Sequence, residues 1–156
     1  MTYSYSEMQG ANQAFCAADF VHYAFREAKL TGDFVGALVD VLLPAVEIVE
    51  GRVLVPSIGA LERYHDYRAL GETPAEAQYW ANLLEPASLF GIDHVVTVRR
   101  LVELVAKCWE NVLASTTFAD AQGVFIVDDP EEDEIFVTIA AMRNDQPLKR
   151  QRPAAT

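Results

Sequence analysis

Cysteine and histidine are scarce in this chain, at two and three of its 156 residues. Cys16 and Cys108 lie 92 positions apart, each inside an apolar helical pattern, which is the usual setting of a free thiol rather than of a structural disulfide. A zinc centre needs Cys and His at close spacing, and His22, His65 and His94 are scattered. Basic residues are few as well, 12 against 23 acids, for a net charge of −11. Nucleic-acid binding draws its affinity from Lys and Arg displacing counterions, so direct binding by the folded body is not expected. Long apolar runs are missing too. The longest, Phe34 to Val49, is broken by Asp40, Pro44 and Glu47 and falls short of the roughly 20 apolar residues a membrane helix needs. The N-terminal MTYSYSEMQG has no basic stretch followed by an apolar core, so the expected compartment is the cytoplasm.

What is present is enough apolar residue, 51% of the chain, for one ordinary core without a disulfide or metal. The charge is uneven. Residues 1–142 hold 22 acids against 8 bases, a net of −14, and residues 143–156 hold 4 bases against 1 acid, a net of +3. The expected organisation is a single acidic globular domain over 1–142, followed by a flexible basic tail over 143–156.

Helical patterns dominate. The Ser6-x-x-Gln9 spacing fits a capping box, and Ala11–Leu30 follows with an apolar arc of Ala14, Ala17, Ala18, Val21, Ala24, Phe25 and Ala28. Phe15 falls in the polar stripe of that helix, which makes it a candidate partner contact, although burial on two sides is the expected fate of so apolar a helix. A helix over Phe34–Glu50, kinked or split at Pro44 and ended by Gly51, is predicted next, and then a short strand over 52–55. Ser57 or Ile58 to Leu70 reads as a helix closed by Gly71. Thr73-Pro-Ala-Glu76 is the best local signal, with an N-cap Thr, Pro at the first helical position and Glu three residues after the cap; its helix should run to about Glu85. A turn over Pro86–Gly91 and a cap at Asp93 precede a long amphipathic helix over Val95–Ala114. Val124–Val127 and Ile135–Ala140 form a hairpin whose strands are apolar on both faces, so it must be sandwiched or used as an interface. The fold class is α+β and predominantly helical: four to five helices with a small antiparallel sheet, built on the hairpin 124–140 and joined by strand 52–55.

Between the hairpin strands stand six carboxylates in seven residues, Asp128, Asp129, Glu131, Glu132, Asp133 and Glu134. They lack the ligand spacing and central glycine of a calcium loop. A solvated, self-repelling tip is the bland explanation, and an anionic finger aimed at a basic protein surface the functional one. In Glu62-Arg63-Tyr64-His65-Asp66-Tyr67-Arg68, neighbouring His65 and Asp66 point about 100° apart on a helix, whereas Tyr64 and Arg68 share a face. No nucleophile elbow and no phosphate loop is present, so no catalytic residue, cofactor or metal ligand is assigned. In the tail, Lys149, Arg150 and Arg152 are candidate contacts to the acidic body or to a neighbouring subunit.

The composition resembles that of small acidic binding proteins of bacteria and their phages, such as toxin-immunity proteins and anti-defence inhibitors, an analogy that gives no residue a role. The expected function is therefore a non-enzymatic inhibitor that blocks a basic partner by occupancy, the partner being a toxin, a nuclease or a nucleic-acid-guided complex. A structural subunit forming homo- or hetero-oligomers is the alternative, and a small enzyme using the 62–68 cluster comes third.

Overall fold

A computed structural model describes residues 4–11, 16–118, 120–129, 134–143 and 146–147. It is α+β and mostly helical, as the patterns predict, and the chain divides into two compact units, residues 1–38 and 39–156.

The first unit holds helix α1 (Tyr5–Ala11), helix α2 (Ala17–Glu27) and the start of helix α3 (Gly32–Leu42). The capping box sits two residues earlier than Ser6-x-x-Gln9. The Ser4 amide donates to Glu7 Oε2 at 2.7 Å, and the Glu7 amide donates back to Ser4 Oγ at 3.3 Å. The preference is for a short oxygen-bearing side chain at the cap and a carboxylate three residues on, and Ser4/Glu7 meets it with a charged partner where Ser6/Gln9 offers a neutral one. In α2 the Cys16 amide donates to Asp19 Oδ2 at 2.9 Å, which holds that carboxyl below its usual range. No residue of α2 is buried and Val21 is 64% exposed, so the expected two-sided burial of this helix is not what forms.

In the second unit α3 stops at Leu42, so the helix breaks ahead of Pro44, and the predicted helical continuation to Glu50 does not form. Proline removes an amide donor and biases the residue before it towards extended backbone, so the chain re-enters as strand β1 (Glu47–Val49). Glu50 and Gly51, at φ 50° and 76°, make the two-residue turn into strand β2 (Arg52–Leu54), with Val49 opposite Arg52. Gly51 thus turns a hairpin rather than ending a helix. After a 3-10 turn over Pro56–Ile58, helix α4 (Ala60–Ala69) closes at left-handed Gly71. There the Gly71 amide donates to Arg68 O and the Glu72 amide to Tyr67 O, both at 3.1 Å.

Helix α5 (Pro74–Ala81) starts on the predicted capping box, with the Thr73 amide on Glu76 Oε2 at 3.0 Å. It ends four residues before Glu85 because Leu84 bridges to the sheet, exchanging both backbone bonds with Val137 at 2.8 and 2.9 Å. Pro86–Phe90 forms a short helix, α6, rather than a plain turn. Helix α7 (Val95–Ala114) has the predicted bounds, but His94 caps it in place of Asp93, its ring nitrogen accepting from the Thr97 amide at 3.4 Å. Along this helix Val95 and Leu104 are exposed, and the buried stripe is Val98, Val102, Val105, Ala106, Trp109 and Leu113.

Strand β3 (Gln122–Asp129) pairs antiparallel with strand β4 (Glu134–Arg143), Val124 opposite Ile139 and Asp129 opposite Glu134, so the hairpin is longer than 124–140 at both ends. A two-residue strand, β5 (Gln146–Pro147), adds to the far side of β4. The two-faced apolar pattern is explained by a sandwich. Ile135, Val137 and Ile139 pack with the buried stripe of α7, and on the other face the Thr138 hydroxyl donates to Tyr79 O of α5 at 2.8 Å.

Among the described residues strand β2 pairs with β1 and does not join this sheet. Three buried side-chain amides take the place of a ladder. Gln122 Oε1 accepts from the Val53 amide and Asn82 Oδ1 from the Val55 amide, each at 3.0 Å. Val53 O accepts from Gln78 Nε2 at 3.0 Å and from Asn82 Nδ2 at 2.9 Å, and the same Asn82 nitrogen reaches Ile139 O on β4 at 3.0 Å. With its backbone groups satisfied in this way, β2 lies buried beside β4 without a strand register. Among the described residues no helix is long and apolar enough to cross a membrane.

Candidate functional site

The acidic run falls at the outer end of the β3–β4 hairpin. Asp128, next to last in β3, lies on the face turned to α7, where it pairs with Arg99 at 3.2 Å, both side chains about half exposed. Asp129 turns the other way, towards α5, and adds its negative charge to the burial that raises the pKa of the Tyr79 phenol. It stands directly opposite Glu134 on β4. Carboxylates facing each other across a strand pair repel, which by itself weakens the pairing at this end. Glu131, Glu132 and Asp133 lie outside the described residues, as do Phe15, Lys149, Arg150 and Arg152, so the structure brings together only Asp128, Asp129 and Glu134 of the residues singled out from the sequence.

The polar cluster of α4 behaves differently. Tyr64 and Arg68 do share a face, and both converge on Glu50 of the β1–β2 turn, a residue that sequence reasoning did not single out. The Tyr64 hydroxyl donates to Glu50 Oε2 at 2.7 Å, Arg68 Nε to the same oxygen at 2.9 Å and Arg68 Nη2 to Oε1 at 3.2 Å. These donors, Arg68 first, pull the Glu50 carboxyl down to about 2. Burial first, and then the hydrogen bond to Glu50, push the Tyr64 phenol up to about 12. Neither group exchanges a proton near neutral pH, which suits a tie between the hairpin turn and the helix better than acid–base work. His65 is exposed, with its ring edge-on to Tyr64 at 5.9 Å between centroids. Glu62 and Asp66 are also exposed. The one sequence signal for Glu50 is the Glu50-Gly51 pair between two β-prone runs, which a strict hairpin reading picks out. The amide trio Gln78, Asn82 and Gln122 carries no local signal, since its members are 4 and 40 residues apart in sequence and meet only across the fold.

Among the described residues no three His, Cys, Asp or Glu side chains are grouped to hold a metal ion. Comparison with family models, with characterised proteins and with solved structures found no match to this chain.

Proposed function

We propose that this chain is a protein-binding inhibitor that docks the acidic end of its β3–β4 hairpin on a basic partner surface and blocks that surface by occupancy. The observation that carries this reading is the placement of Asp128, Asp129 and Glu134 at one end of the strand pair, with Asp128 and Asp129 turned to opposite faces. A body of net −14 adds long-range attraction for such a partner, speeding encounter at low ionic strength. Surfaces that normally hold nucleic acid, on a nuclease, a toxin or a nucleic-acid-guided complex, have the required charge.

The test is capture of a basic partner from the native host at low salt with tagged protein, followed by the variant in which Asp128, Asp129, Glu131, Glu132, Asp133 and Glu134 become Asn or Gln. The expected result is at least a tenfold loss of affinity, about 1.4 kcal/mol, with a flatter salt dependence. Unchanged affinity would remove the hairpin end from the reading.

A further inference from the structure

The outer side of β3 is an open strand edge with a definite pattern. The Met142 amide donates to Ala121 O at 2.9 Å, while Val137 turns both its backbone groups the other way, to Leu84. Antiparallel pairing alternates along a strand. Gly123, Phe125, Val127 and Asp129 therefore bond inward to β4, and the N–H and C=O of Val124, Ile126 and Asp128 point outward. β3 ends the sheet order, and among the described residues no strand pairs with this side. Natural edges are blunted by proline, a bulge or a charge at mid-strand. Val124-Phe125-Ile126-Val127 has no proline, bulge or charge, and Ile126 is 45% exposed. Acids flank the stretch instead: Asp128 at one end and, just before the strand, Asp120, which Arg52 holds at 2.7 Å.

From this we infer that the β3 edge takes up an extended segment of the basic partner by strand addition, with apolar side chains beside Val124 and Ile126 and a Lys or Arg beside Asp128. The inference rests on the proposed function and deepens it by naming how the partner is held. Charge selects the occupant. A second copy would bring another net −11 to the same edge, whereas a basic strand meets a body of opposite charge. Outward backbone groups supply the affinity and the flanking acids the selectivity.

The probe is a short synthetic peptide of alternating lysine and valine, compared with the same peptide N-methylated on every amide, which keeps the charge but has no donor for a ladder on either edge. Binding to the full chain is followed by amide shifts in NMR spectra, with sedimentation run before peptide is added. The unmodified peptide is expected to bind saturably with shifts along 122–128, and N-methylation to weaken it at least tenfold. Ile126→Pro should weaken it equally, since an outward-facing edge position tolerates proline; the N-methylated peptide keeps the test valid if that variant fails to fold. Equal binding of both peptides would mean attraction to the acidic end alone, overturning strand addition while leaving the proposed function standing. No saturable binding by either peptide at low salt would also overturn it. So would a dimer before peptide is added, which makes a second copy the occupant, and so would binding seen only after removal of residues 148–156, which makes the chain's own tail the occupant. Failure of the proposed function reads out elsewhere, as partner capture that survives neutralisation of the hairpin end.

Discussion

Glu50 and Asp128 are both carboxylates at the turn end of a hairpin, and they have opposite surroundings. Glu50 accepts three hydrogen bonds, from Tyr64 and from Arg68 twice, and its pKa falls to about 2. Asp128 has one half-exposed arginine at 3.2 Å. A carboxylate closed in by several donors holds two elements together; one with a single exposed partner adds little to stability and keeps its field for whatever approaches. The contrast separates a carboxylate that ties two elements of the fold together from one that stays largely in solvent.

The sharpest way to break the comparison is to cut out the packed end of it. Tyr64→Ala should destabilise by about 3–5 kcal/mol, as aromatic truncations in a core do, seen as a lower denaturant midpoint. Asn82→Ala comes next, at about 2–4 kcal/mol, because it strands the Val55 amide and the Ile139 carbonyl in the interior and leaves the Val53 carbonyl to Gln78. Tyr64→Phe removes only the hydroxyl bond to Glu50 and should cost about 1 kcal/mol. Asp128→Asn should shift stability by less than about 0.5 kcal/mol, since exposed ion pairs contribute little.

Titration sharpens the same contrast with the signs fixed by the two shifted groups. The folded pKa of Glu50 lies below its ordinary value of 4.5, so its contribution is complete above that pH and is lost as pH falls towards about 2. That of Tyr64 is raised above 10.0, so its contribution is complete below pH 10 and is lost as pH rises to about 12. Denaturant midpoints measured across both windows should fall at each end, and Tyr64→Phe should shrink the alkaline step to the part that the buried Tyr79 phenol contributes.

Features that depend on neighbours in sequence were legible without a structure. The Thr73–Glu76 capping box and the bounds of α7 follow from spacings of three and four residues, and the hairpin follows from two β-prone runs around a charged break. Features that depend on meetings across the fold were not. Strand 52–55 reads as a candidate member of the hairpin sheet, and what diverts it is an Asn and two Gln whose polarity alone suggests surface. Pro44 reads as a kink or a split in a helix that continues to Glu50, and the strand-compatible Glu47–Val49 with a turn-ready Gly51 makes ending the helix the better solution. At the hairpin end the composition of the acidic run was plain from the sequence, whereas the division of Asp128 and Asp129 between the two faces depends on register.

The most direct test of the separation is to measure denaturant midpoint and partner affinity on one preparation of the variant carrying amides at 128, 129, 131, 132, 133 and 134. The account predicts a midpoint equal to or above that of the unaltered chain, with affinity for the captured basic partner reduced at least tenfold. A lowered midpoint with affinity intact would contradict it, and would make the hairpin carboxylates part of the fold.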